Sequence, residues 1–318
     1  MLYKYTTKKR TVWPTCVENN HDQQEICYNS HTMSYPLFEL SPQKFPKRLR
    51  EIADPPKKLY VMGTLPPEKH KWLCVVGARK YSPYGRDAVE KLISGLRGHP
   101  IAIVSGLALG IDALAHKEAL RAGLPTVAVP GSGLGANVLY PSTNKPLAKQ
   151  ILESGGALLS EFDPDFSATQ WSFPQRNRIM AGLCDAVLVI EAELKSGTLV
   201  TSKFATEYNR DVFTVPGSIF SSLSFGPHML IRLGATPITG SAELLQALGF
   251  NETATLEFKN YDDCSPAELK IIELLKTPMS RDELIEALAL PTSKANALLS
   301  VMEIKGLITE EVGEMHLV

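Results

Sequence analysis

Residues 172–182 read Ser-Phe-Pro-Gln-Arg-Asn-Arg-Ile-Met-Ala-Gly and carry two arginines, Arg176 and Arg178, on either side of Asn177. Guanidinium forks beside the unpaired N–H groups of a helix start suit an anion, phosphate above all. Pro174 disfavours helix at Phe173 and so predicts a helix that begins only after it, over 177–183, with the arginines in its first turn. Cations are unfavourable there because the helix dipole is positive at that end, a cost accepted more readily where an anion is bound. The alternative is a surface loop whose arginines pair with nearby acids, Glu161 or Asp163.

The elements that must position this segment announce themselves as short apolar runs. They fall at 73–76, 101–104, 126–129, 157–159, 186–190 and 212–215. None alternates polar with apolar, and they are rich in β-branched residues, as expected of strands buried on both faces. Helical segments are predicted between them, over 85–96, 111–122, 145–154 and 198–208, with a last helix over 241–248. Strand–helix alternation of this kind predicts a doubly wound parallel sheet. Before it come a short amphipathic helix over 45–52 and a small strand over 59–62. Residues 1–40 are polar and irregular and predict a poorly ordered tail, so the sheet domain is placed at 41–250.

In an open parallel sheet, ligands sit beyond the carboxyl ends of the strands. Four glycine-bearing loops fall there. They are Val76-Gly77-Ala78-Arg79, Ser105-Gly106 through Gly110-Ile111-Asp112, Pro130-Gly131-Ser132-Gly133 running on to Tyr140-Pro141 and Lys145, and Lys195-Ser196-Gly197-Thr198. Glycine lets backbone approach a phosphate, and successive N–H groups can form an anion nest. Converging on one sheet edge with Arg79, Lys145, Arg176 and Arg178, these loops predict a phosphate-binding cleft. Gly131-Ser132-Gly133-Leu134-Gly135-Ala136 matches a dinucleotide fingerprint, but Tyr140-Pro141 follows where that motif must open a helix. No cofactor is therefore expected.

Asp112 and His116 share a helical face at i, i+4. Without a third ligand at matching spacing they read as a backbone-orienting acid and a core-rim histidine, and no metal site is predicted. Glu191 and Glu193 end a strand and read as loop-ordering or solvated; no activated nucleophile is evident. The five cysteines are scattered and form no C-x-x-C pair, which argues against zinc and a disulfide framework. No run approaches the ~18 apolar residues of a membrane span, and the N-terminus lacks an apolar signal core, so a cytoplasmic protein is expected.

The formal net charge is −1, so any polyanion site must be a local patch. Residues 1–50 hold eight Lys/Arg against four Asp/Glu, and residues 265–318 five against nine. The acidic end, after a linker at 251–264, predicts three short helices and a hairpin. Ser280 and Glu283 make a capping box opening the second helix, and Thr292 or Ser293 caps the third. The shape is a winged helix-turn-helix over 265–318. Its candidate recognition helix offers Lys294, Asn296, Ser300 and Glu303, a poor reader of DNA, so the domain is assigned to protein contacts.

The ordered motifs Val76-Gly77-Ala78-Arg79, Ser105-Gly106-x-Ala108-x-Gly110-Ile111-Asp112, Tyr140-Pro141-x-x-Asn144, Ser160-Glu161-Phe162, Phe173-Pro174-x-Arg176-Asn177-Arg178-Ile179, Ser196-Gly197-Thr198-Leu199 and Arg210-Asp211-Val212-Phe213-x-Val215-Pro216-Gly217 closely resemble the DprA/Smf (DNA processing protein A) family over about residues 45–250. The acidic tail resembles that family's C-terminal domain more loosely. The resemblance implies an extended Rossmann-like fold that binds single-stranded DNA, protects incoming strands in natural transformation and loads the RecA recombinase. It also implies a homodimer without catalysis. Carried over by position, the DNA-binding residues are Gly77, Arg79, Ser105, Gly106, Gly110, Lys145, Phe173, Arg176, Asn177, Arg178, Ser196, Gly197 and Thr198. Ala78 replaces the usual serine, residues 135–137 lengthen the third loop, and the helical N-terminal domain of many members has no counterpart.

A sheet-edge cleft can track a single backbone while Phe173 or Tyr140 stacks a base. The dimer face is expected on the apolar helix bearing Met229, Leu230 and Leu233. The alternative function is a nucleotide phosphoribohydrolase, whose Gly-Thr loop survives at Gly197-Thr198. Thr201 stands at the catalytic glutamate position, and a hydroxyl cannot replace a carboxylate in acid–base work.

Overall fold

The computed structural model describes residues 24–26, 35–250, 264–275, 279–305, 307–311 and 313–317. The chain divides into two compact units, Met1–Asn251 and Glu252–Val318. Most of the polar tail expected over 1–40 and nearly all of the linker expected over 251–264 lie outside the described residues.

Ten strands form the sheet of the larger unit: β1 (Gln24–Ile26), β2 (Leu37–Leu40), β3 (Leu59–Gly63), β4 (Lys71–Val76), β5 (Ile101–Ser105), β6 (Thr126–Ala128), β7 (Ala157–Ser160), β8 (Ala186–Val189), β9 (Asp211–Thr214) and β10 (Thr236–Pro237). Their order is β1-β2-β3-β7-β6-β5-β4-β8-β9-β10. Strands β4 to β10 pair in parallel, with Val76 beside Val189 and Cys74 beside Val104. The first three strands run antiparallel along one edge. Order reverses between β4 and β8: the chain travels outward through β5, β6 and β7, then returns to the other side of β4. That reversal opens a crevice at the carboxyl end of β4.

Strand β4 shows why its sequence is apolar without alternation. Trp72, Cys74 and Val76 pack on one face with Leu49, Ile179 and Leu183, while Leu73 and Val75 pack on the other with Val89, Leu92 and Ile111. The covering helices are α1 (Lys47–Arg50), α2 (Pro83–Ser94), α3 (Ile111–Ala122), α4 (Lys145–Glu153), α5 (Ser172–Leu183), α6 (Thr198–Glu207), α7 (Phe225–Arg232) and α8 (Ser241–Ala247).

Two expectations are corrected. The tail does not extend to residue 40, because Leu37 and Leu40 are buried and β2 pairs with β3. Helix α5 begins at Ser172, a turn earlier than predicted. Pro174 is tolerated in its first turn because the N–H it lacks would have had no acceptor within the helix. Arg176 and Arg178 therefore lie beyond the first turn.

The smaller unit comprises α9 (Pro266–Leu274), β11 (Met279–Ser280), α10 (Arg281–Leu288), α11 (Thr292–Ile304), β12 (Ile308–Glu311) and β13 (Glu314–Leu317) around a core that includes Ile271, Leu284, Leu299 and Met315. This is a winged helix. Ser280 and Glu283 form the predicted capping box, and Ser265 with Glu268 forms a second. The residue before α11 is Pro291, and neither Thr292 nor Ser293 caps it, since both are already helical. Arg281 binds Glu303 at 3.0 Å and Glu310 at 3.2 Å, and reaches Asn296 at 3.3 Å.

Candidate nucleic-acid interface

The loop after β4 runs from Gly77 to Ser82, ahead of α2. Its turn is held from both sides: the Ile111 N–H donates to the Ala78 carbonyl at 3.2 Å, and the Thr198 hydroxyl donates to the Gly77 carbonyl at 3.0 Å. Those bonds use carbonyls. The amides of Gly77, Ala78, Arg79 and Lys80 meet no acceptor among the described residues. Arg79 and Lys80 are exposed, and the Arg79 guanidinium lies over the Phe173 ring, 5.3 Å from its centroid. Cation–π contact of this kind orders a long side chain without neutralising it. Gly110 is required at its position, with φ of 87° and the Ala78 and Arg79 carbonyls against the space a Cβ would fill.

The loop after β5 is tied down by buried groups. Asp112 accepts the Gly106 N–H at 3.1 Å. Burial pushes its carboxyl up, opposed by the neighbouring Arg176 guanidinium. Arg176 donates to the carbonyls of Gly106 (2.6 Å) and Val129, and to the Asn177 side chain at 3.2 Å. It is buried, yet it lines the cleft, so it joins the loops after β5 and β6 from beneath. Ser105 does not reach the cleft: it is fully buried, and its hydroxyl donates to the Val75 carbonyl at 2.6 Å. His116 is also fully buried, its Nδ1 2.7 Å from the Thr126 hydroxyl, and burial lowers its pKa to about 3.

The loop after β6 differs from its expected role. The Gly133 N–H donates to the Phe166 carbonyl at 2.9 Å and the Gly135 N–H to the Pro164 carbonyl at 2.8 Å. A turn of the chain at 163–166 thus sits where an anion was expected, and a Cβ on Gly133 would strike the carbonyls of Asp163 and Pro164. Lys145, at the start of α4, is half-buried and lies outside the cleft's lining. The Asn144 amide before it holds the Leu107 carbonyl at 2.8 Å.

After β8, the Asn177 amide donates to the Gly197 carbonyl at 3.2 Å and holds the Ser196-Gly197-Thr198 loop against α5. Arg178 points elsewhere. It is 7% exposed, pairs with Glu161, donates to the Asp54 carbonyl at 2.7 Å and lies outside the cleft. Burial pushes the Glu161 carboxyl up while Arg178 opposes that shift. One arginine of the motif thus meets the cleft and the other meets an acid.

Together the loops after β4, β5 and β8 and the start of α5 enclose an open cleft of about 630 Å³ at the sheet's switch point. Gly77, Arg79, Phe173, Arg176, Asn177, Ser196, Gly197 and Thr198 line it. Lys80, Gln170 and Glu193 also line it and had not been singled out as binding residues. Lys80 had a signal in its place directly after the Gly-Ala-Arg loop. Thr201 lines the cleft as well and is buried. The lining acids are Asp112, engaged by Gly106, and the exposed Glu193, against the cations Arg79, Lys80 and Arg176. Tyr140 and Phe173 sit 5.7 Å apart at its rim.

The family model for DNA recombination-mediator protein A matches residues 37–249, and that for the DprA winged helix domain matches residues 261–314. The chain belongs to the DNA recombination-mediator protein A family. Within that family it is 43% identical over 216 residues to DNA processing protein DprA of Streptococcus pneumoniae, covering 68% of this chain and 75% of that protein. It is 42% identical over 214 residues to Protein Smf of Escherichia coli, covering 67% of this chain and 57% of the relative. Among solved structures, DprA from Streptococcus pneumoniae superposes with a TM-score of 0.62 at 42% identity, covering 67% of this chain and 74% of that one. DNA processing protein A from Helicobacter pylori, solved for its unique single-stranded DNA binding mode, does so with 0.59 at 30% identity, covering 67% and 95%.

On the helix expected to bear the dimer face, Leu230 is 7% exposed and belongs to the core. It cannot present itself to a partner, because it fills the space beneath α7. Met229 is half-buried and Leu233 is 75% exposed. The loop before α7 exposes Ile219 and Phe220 as well, at 73% and 93%. Among the described residues no helix is long and apolar enough to cross a membrane, and no group of three or more His, Cys, Asp or Glu side chains is placed to hold a metal ion.

Proposed function

We propose that this chain binds single-stranded DNA without sequence preference, along the cleft at the switch point of its sheet. It does so as a non-catalytic homodimer that protects incoming strands and loads the RecA recombinase onto them in natural transformation and recombination. The observation that carries the reading is the loop after β4, where four adjacent amides lack acceptors beside Arg79, itself seated on Phe173. Amides and a guanidinium take a phosphate, and aromatic faces take a base of any identity. The single-stranded DNA binding named for the Helicobacter pylori relative supports the same reading. Exposed Ile219, Phe220 and Leu233 are the groups best placed to meet a second copy. Arg176 supports binding by fixing the loops, whereas Arg178 supports the fold.

The experiment is fluorescence anisotropy with labelled oligothymidine and oligoadenylate over a range of salt. Arg79→Ala is expected to weaken both by similar factors and to lower the salt slope by about one, the signature of one lost phosphate contact. A parallel assay of RecA-dependent ATP hydrolysis on protein-coated oligothymidine should accelerate on adding the chain. Unchanged affinity in Arg79→Ala refutes the site, and no acceleration refutes the loading role.

A further inference from the structure

Trp171 is 55% exposed, although its ring is held on two sides. Phe162 meets it edge-on at 5.8 Å and Phe166 at 5.5 Å, while those two rings stack on each other at 4.6 Å. The backbone beneath is equally fixed. The Ser172 hydroxyl donates to the Gly131 carbonyl at 2.6 Å and accepts the Thr169 N–H at 3.0 Å, and the Ser172 N–H reaches the Thr169 carbonyl at 3.2 Å. The turn carrying Phe166 is clamped to the loop after β6 by the Gly133 and Gly135 amides. An indole ordered this way, yet left half open to water, has lost its conformational freedom before any ligand arrives.

Its position follows from the topology. Strand order places β5, then β6, then β7 beside β4, so the loops at their carboxyl ends form a row. Along it come Arg79 after β4, Tyr140 after β6, and then the segment after β7 that carries Trp171 into α5. Gln170 and Phe173, its neighbours in the chain, both line the cleft. Two acids on this side are already engaged. Asp163 pairs with Lys58 and accepts from the Tyr60 hydroxyl at 2.9 Å, and Glu161 pairs with Arg178.

We propose that Trp171 is a second stacking platform, which takes a base of the same single strand beyond the one at Phe173 and so extends the binding track from the cleft toward β7. The inference rests on the single-strand reading above. It adds an outward direction for the strand and a site for one more nucleobase, of any sequence, since every base offers a π-face.

Tryptophan fluorescence of the full chain tests it, with unlabelled oligothymidine as probe and anisotropy of a labelled copy as an independent measure of binding. The chain has three tryptophans, of which Trp72 is 1% exposed. Saturating oligothymidine should quench the emission, and Trp171→Phe should abolish most of that quench while keeping affinity, because phenylalanine can stack. Trp171→Ala should lose about tenfold in affinity, the usual cost of one stacked base. Arg79→Ala should bind less tightly yet still quench at saturation. If oligothymidine binds and Trp171→Ala keeps its affinity within twofold, or Trp171→Phe keeps the quench, the platform is refuted and the cleft stands. If the parent chain binds no oligothymidine, both readings fall.

Discussion

The loops after β4 and β6 make an instructive pair. Both follow a buried parallel strand, both carry glycine, and both face the same edge of the sheet. After β4 the carbonyls are bonded and the amides of residues 77–80 are open. After β6 the Gly133 and Gly135 amides are bonded to the carbonyls of Phe166 and Pro164. Glycine spacing marks where backbone comes close to something. It does not say whether that something is a phosphate or the protein's own chain. The two arginines of the α5 motif repeat the lesson. Arg176 faces the cleft and two carbonyls, whereas Arg178, two residues on, faces Glu161.

The sharpest way to break this contrast is to remove the arginines that stand at its two ends. Arg178→Ala leaves Glu161 buried without its cation and should destabilise the larger unit by about 3–5 kcal/mol, measured by urea unfolding. Strand affinity of the remaining folded protein should stay near that of the parent. Arg79→Ala should do the reverse, lowering affinity and leaving the unfolding midpoint in place, because its side chain is exposed. Matching midpoints for the two variants would dissolve the distinction between them.

Much of the sheet was legible because strands buried on both faces must be apolar at nearly every position, and the strands from β4 to β8 largely are. Strand β2 escaped because Leu-Phe-Glu-Leu alternates weakly within a polar stretch and owes its burial to β3, some twenty residues on. The start of α5 was misplaced because the rule against helix before proline yields in a first turn, where the missing N–H costs nothing. The cations of the candidate site were legible as residue types. Their partners were not. Glu161 was named only as one of two acids within reach of either arginine, and the turn that fills the loop after β6 comes some thirty residues later with no pattern to announce it. Trp171 carried no signal of its own, since an exposed indole and a buried one read alike in sequence.

A smaller effect tests the filled loop itself. Gly133→Ala places a methyl group against two backbone carbonyls that cannot turn aside. It should cost near the top of the range of about 1–3 kcal/mol typical of overpacking, again by urea unfolding. It should also loosen the turn that seats Phe166, visible as faster amide hydrogen exchange at Gly133 and Gly135. Gly197→Ala, with open space where its Cβ would go, is the matched control and should change stability little. If the two alanines cost the same, the loop after β6 is not clamped as described.

The smallest effect concerns pH, and it separates the cleft's support from its surface. Burial holds the His116 pKa at about 3, below its ordinary value near 6.5, so the folded state keeps the imidazole neutral while the unfolded state protonates it. Between those values the unfolded chain binds more protons, so stability is complete above about pH 6.5 and falls as the pH is lowered. Moving from pH 7.5 to pH 5 should therefore remove up to about 2 kcal/mol, and His116→Gln should flatten that part of the profile. The open amides after β4 carry no titrating proton. Strand affinity per folded molecule should hardly move over the same interval. A loss of affinity that follows the loss of stability would mean that the loop after β4 depends on the buried layer under β5 more closely than its own hydrogen bonds suggest.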